Sequence, residues 1–213
     1  YNLNYTSAMT IRGDSTEYDL LKKWCETLPF FEEPKSVTTC EIGVREGLGS
    51  QVIMMGLKKR IGNKPYEHIA IDPYGSREYE HFDNQKKRGI KWKRDGVWTD
   101  VPPVYPDEMR LQLVKDFANN KNFNFYHFTD RQYMNLFNST DKIFDLVHFD
   151  GPHTTKDVFR EALWFADKSR KGTRFIFDDY FVYDVETIGK ALTYWGFKVL
   201  DQGENKMMMQ KLE

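Results

Sequence analysis

Thiol chemistry is scarce in this sequence. It has two cysteines, Cys25 and Cys40, and neither a CxxC nor a Cys/His cluster accompanies them. Cys40 lies in an apolar run and reads as a buried free thiol, so a reducing, cytoplasmic setting is expected. Excess charge of one sign is also missing: 31 basic and 32 acidic residues leave a formal charge of −1. That balance argues against a nucleic-acid binder, which would be strongly basic overall. No run approaches the roughly 20 apolar residues that span a bilayer. The residues after Tyr1 show no basic-then-apolar signal pattern, and no membrane partner is expected. Repeats and low-complexity tracts are absent as well.

What is present suits one α/β domain over 1–213, with 40% of its residues apolar. Residues 1–35 read as an N-terminal extension whose helix covers 16–28. Strands are expected at 37–43, 68–72, 123–128, 144–150, 173–177, 197–200 and 206–212. Helices are expected at 47–60, from 107 to about 119, in a short piece after 128, at 155–168 and at 185–195. Strands alternating with helices imply a Rossmann-like, doubly wound, mostly parallel seven-stranded sheet, and the short turn at Gly203–Glu204 closes it with an antiparallel hairpin. Residues 73–106 interrupt the rhythm with glycines, prolines, charges and aromatics, the composition of a lid or of a disordered insert.

Three motifs fall at strand ends, where open α/β sheets bind ligands. The first is EIGVREGLGS, Glu41 to Ser50. Its glycines allow a tight turn and bring backbone N–H groups close to a ligand beside a helix N-terminus. The spacing is GxxxGxG, which is neither the GxGxxG of a dinucleotide site nor a P-loop. A nucleotide-like cofactor is expected there, held by Glu41, Gly43, Gly47, Gly49 and Ser50. The second is Asp72, placed to accept hydrogen bonds from ribose hydroxyls, with an Asp-Pro turn as the plain reading. Asp130 after the third strand could face an adenine or cap a helix.

The third comprises FDLVHFDGPH and RFIFDDY, two apolar strands that end in carboxylates. Adjacent strands would gather Asp150, Asp178 and Asp179. Three such charges repel unless protons or a cation intervene, and an all-oxygen set suits Mg²⁺, Ca²⁺ or Mn²⁺. Helix caps and turn formers remain the alternative reading of the same residues.

EIGVREGLGS resembles motif I of class I S-adenosylmethionine-dependent methyltransferases. FDLVHFDGPHTTKDVFREALWF with GTRFIFDDY resembles the DLxxIDGxHxYxxVxxDLxxW and GGxxxxDDY pattern of the macrocin-type and cephalosporin-biosynthesis group, methyltransferase family 24-like. The resemblance covers about residues 37–180, without the insert, and implies S-adenosylmethionine as cofactor and a divalent cation, Mg²⁺ or another, on Asp150, Asp178 and Asp179. Pro152 and Lys171 depart from the pattern without removing a proposed ligand. The reaction implied is transfer of the sulfonium methyl to a small-molecule hydroxyl, with Asp150 and His153 catalytic, His153 as general base, and Asp150 also close to the cofactor. A hydrogen-bonded turn residue is the equal alternative reading of His153, and His148, inside its strand, reads as a core histidine. Lys86, Lys87, Arg88, Lys91, Lys93 and Arg94, with Trp92 and Trp98, would suit a lid over an anionic or sugar-bearing substrate, or a solvated loop. A catalytically silent binding protein and N-methyl transfer stay open. Relatives in this group often self-associate, so a homo-oligomer is compatible with the sequence.

Overall fold

The computed structural model describes residues 11–13, 15–75, 81–84, 91–94, 97–99 and 104–213. Its elements, in chain order, are α1 (Tyr18–Glu26), β1 (Val37–Ile42), α2 (Leu48–Ile61), β2 (Tyr66–Ile71), β3 (Trp92–Arg94), β4 (Val97–Thr99), α3 (Asp107–Phe117), β5 (Phe123–Tyr126), α4 (Asp130–Leu136), β6 (Phe144–Phe149), α5 (Thr155–Asp167), β7 (Ser169–Phe177), α6 (Val185–Thr193), β8 (Phe197–Gln202) and β9 (Met207–Lys211). Seven strands form one sheet in the order β5-β2-β1-β6-β7-β9-β8. Within it β9 alone runs against its neighbours, antiparallel to both β7 and β8. This is the Rossmann-like arrangement with a reversed C-terminal strand that the sequence pattern implies.

Side chains on a strand alternate between faces, and here both faces are covered. Ile69 and Ile71 pack with Tyr133 of α4, Val158 and Phe165 of α5 and Ile188 of α6. Ala70, between them, packs on the other face with Met54 of α2 and Leu113 and Phe117 of α3. The same alternation divides Met207 and Met209 from Met208, which joins Leu21 and Trp24 of α1. The methionine run is therefore core packing. Among the described residues no helix is long and apolar enough to cross a membrane.

Two differences from the sequence reading matter for the site. Within 73–106, β3 and β4 form a small antiparallel ladder. Residues 81–84 are also built into the fold: Phe82 makes a bridge to His153, and the Asp83 carboxylate accepts from the Thr155 amide at 3.0 Å. Further, Glu17 joins the N-terminal segment to the distant hairpin by accepting from the amides of Glu204, Asn205 and Lys206 at 2.8–2.9 Å. Burial raises the Glu17 pKa, and those three amides with the Lys206 charge more than offset it, leaving it lowered.

Candidate active site

Chain order reverses between β1 and β6, and a cavity of about 590 Å³ opens beyond the carboxyl ends of these strands. Its walls include Gly43, Arg45 and Gly49 of the glycine turn, Asp72, Asp130, Asp150, His153, Asp178 and Asp179. Ser15, just before α1, and Tyr18 of α1 also line it.

The turn owes its shape to close approaches. Gly43 has φ +80°, and a Cβ there would run into the Asp150 carbonyl carbon and oxygen. The two strand ends are stitched at this point by the Asp150 amide donating to the Ile42 carbonyl at 2.9 Å. Glycine therefore sets how near the cofactor turn lies to the acidic strand end. Gly49 is needed for another reason: a side chain there would collide with the Glu41 carboxylate. Gly47 is the left-handed N-cap of α2 and faces Leu113 and Phe117, so it is not on the cavity wall.

Glu41, with 1% exposure, accepts from the Ser50 hydroxyl and bonds His148 Nδ1 at 2.9 Å. Ser50 is fully buried behind it and also contacts His68 Nε2 at 2.9 Å. Ser50 was expected at the cofactor; its place is instead the floor beneath the turn, orienting Glu41. Asp72 reaches the cavity, yet its carboxylate already accepts from the amides of Val44 at 2.9 Å, Arg45 at 3.1 Å and Tyr74 at 3.0 Å. It organises the loop that a ribose would meet, and Arg45 and Tyr74 sit there at positive φ. Burial pushes the Asp72 pKa up while those amides pull it down, and burial prevails. Asp130 is the first residue of α4. Thr129 supplies the cap, with its hydroxyl accepting from the Gln132 amide, and the Asp130 carboxylate pairs with Arg160.

At the acidic end, β6 and β7 do converge. Asp150, His153 and Asp178 each bring a ligand atom within 4.8 Å of the others. Asp179 stands beside them, its backbone at φ +45° and its carboxylate 3.9 Å from His153 Nδ1. Asp178 is buried and ion-paired with Lys206, and it accepts from Ser15 Oγ at 3.0 Å. Burial pushes both Asp150 and Asp178 up. The Lys206 charge and a bond from Asp150 bring Asp178 below its ordinary value, whereas Asp150 stays well above it. The two carboxylates are driven apart in this way because the ammonium stands on the Asp178 side. Burial, with the Asp178 charge, raises Asp179 to about 6.

His153 lies between Phe82 and Tyr183, nearly parallel to both, with centroids 6.0 and 6.1 Å away. Burial pushes its pKa down to about 4, so the ring is neutral near pH 7. Its Nε2 is buried, has no hydrogen-bond partner and lies 3.7 Å from Asp150.

Sequence reasoning missed Lys206, Ser15 and Phe82. Lys206 did carry a signal, as a cation standing directly before a run of three methionines. Of the lid residues, Lys86, Lys87 and Arg88 and the side chains of Trp92, Lys93 and Arg94 lie outside the described residues. Lys91 and Trp98 are exposed.

A family of methyltransferase domains, Methyltransf_24, matches residues 40–180. No curated protein matches the sequence. Among solved structures, the O-methyltransferase NovP is similar at 13% identity and a TM-score of 0.60, over 92% of this chain and 79% of its own. CalS11, a calicheamicin methyltransferase, gives 15% and 0.55 over 91% of this chain and 76% of its own. MycE, a methyltransferase from the mycinamycin biosynthetic pathway in complex with Mg and SAH, gives 12% and 0.53, over 92% of this chain and 48% of its own.

Proposed function

Since this chain belongs to that methyltransferase-domain family and is an S-adenosylmethionine-dependent methyltransferase, we propose that it methylates a hydroxyl of a small molecule with the help of a divalent cation. The observation that carries this reading is one cavity lined both by the glycine turn and by Asp150, His153, Asp178 and Asp179. The donor set fits such a cation. Carboxylates converge there, burial and the Asp178 charge disfavour the charged form of Asp150 in a way that a cation would relieve, and the buried His153 Nε2 has no partner. Asp150 and Asp178 would hold the ion, with Asp179 next to them as third ligand. When bound, Mg²⁺ or Mn²⁺ would lower the pKa of the acceptor hydroxyl. MycE carries Mg together with SAH, which supports extending the reading to this chain.

The chain's own residues supply the rest. The glycine turn, Asp72 and Asp130 would seat the cofactor so that its methyl points toward the acidic end. His153, neutral and steadied between Phe82 and Tyr183, would take the hydroxyl proton at Nε2. Phe82 stacks on that ring and would help keep water from it. The aromatic wall of Tyr74, Phe82 and Tyr105 suits a ring-bearing acceptor such as a sugar or phenol.

Calorimetry with S-adenosylhomocysteine, with and without Mg²⁺, tests the proposal. Binding of both, with Asp150→Asn losing the cation response, is expected. Cofactor binding without any cation binding would remove the metal from the account.

A further inference from the structure

The acidic end of the cavity already contains a cation of the chain's own. The Lys206 side chain is fully buried and does not line the cavity, so it cannot touch an acceptor. Its ammonium pairs with Asp178, donates to Ser15 Oγ at 2.7 Å and lies 3.4 Å from His148 Nε2. Ser15 Oγ in turn donates to the Asp178 carboxylate. The backbone of Lys206 is held independently, since its amide and those of Glu204 and Asn205 all donate to Glu17. Side chain and main chain are thus fixed by separate partners, and the ammonium cannot withdraw without breaking several bonds.

Asp178 belongs at once to this ion pair and to the Asp150–His153–Asp178 group. A divalent cation there would share one carboxylate with a buried ammonium only a few ångströms away. Like charges at that separation, shielded from water, repel strongly. We propose that Lys206 is a positioning residue, the resident counter-ion of Asp178, which holds that carboxylate toward the cavity and weakens divalent-cation binding to it. The inference rests on the metal-assisted reading of the site. It adds that the cation is held loosely because part of its task is already performed by the chain.

The test is titration of Mn²⁺ by calorimetry into the S-adenosylhomocysteine-saturated full chain, as wild type, Lys206→Gln and Lys206→Arg. Glutamine can still donate to Asp178 and Ser15 but carries no charge; arginine keeps the charge. The Gln variant is expected to bind Mn²⁺ about tenfold more tightly or better, and the Arg variant to stay near wild type. If the Gln variant is too unstable to titrate, Lys206→Met, which matches its methionine neighbours, replaces it. The rise in Tm on adding Mn²⁺ is then compared with wild type and should be larger. Unchanged or weaker Mn²⁺ binding without the charge overturns the inference while leaving a metal-binding wild type intact. Mn²⁺ binding by the Gln variant but not by wild type supports Lys206 as counter-ion and removes the metal from the native mechanism. Binding by neither overturns both.

Discussion

Glu41 and His148 stand opposite one another in the parallel register of β1 and β6, and their side chains meet at 2.9 Å in the buried floor of the cavity. Through this contact the cofactor turn and the acidic strand end share one polar network. Ser50 and His68 lie on one side of it, Lys206 and Asp178 on the other.

Removing Glu41 would strand two buried polar groups together. Glu41→Ala is expected to cost about 2–4 kcal/mol in urea unfolding, because Ser50 and His148 lose their acceptor. Affinity for S-adenosylhomocysteine should fall about tenfold or more in calorimetry, since the turn above Glu41 loses its support. A variant with wild-type stability would show that the network has little energetic weight.

Gly43 sets the spacing between the two halves of the site. Gly43→Ala meets both a positive φ and the Asp150 carbonyl, so a loss of about 2 kcal/mol or more is expected. Ser50→Ala, which opens no clash, should cost less, about 1–2 kcal/mol. Comparing the two by thermal unfolding distinguishes backbone strain from a lost hydrogen bond.

His68 gives stability a pH dependence. It is fully buried between Thr39 and Ser50, and burial pushes its pKa to about 4, from 6.5 when exposed. The unfolded chain therefore binds the extra proton first. The contribution is present above pH 6.5 and is lost as pH falls toward 4, by about 3 kcal/mol in total. Urea unfolding between pH 7 and 4.5 should show a steeper loss for wild type than for His68→Gln. Equal slopes would mean that His68 is already charged in the fold.

Much of this was legible in the sequence. Apolar runs ending in Asp150 and in Asp178–Asp179 located two adjacent strand ends, because a buried strand cannot tolerate carboxylates until it emerges from the sheet. β7 begins at Ser169, earlier than residue 173, because the chain passes Gly172 with an irregularity in its pairing to β6 and stays in the sheet. A Lys-Gly pair inside a strand reads locally as a break. Ser15 was not legible as a site residue, since its partners Asp178 and Lys206 lie 163 and 191 positions away in the chain. Ser50 was misplaced for a simpler reason: a hydroxyl in a glycine turn looks the same whether it faces a ligand or a buried glutamate.

Metal-assisted methyl transfer to a hydroxyl leaves a product that can be traced. Incubation with methyl-labelled S-adenosylmethionine and a panel of sugar and phenolic hydroxyl compounds, with Mg²⁺ or with EDTA, tests it most directly. Label is expected in an ether product with Mg²⁺, with a loss of about a hundredfold or more in EDTA and a comparable loss in His153→Ala. Label appearing on nitrogen, or on oxygen at the same rate in EDTA, would contradict it.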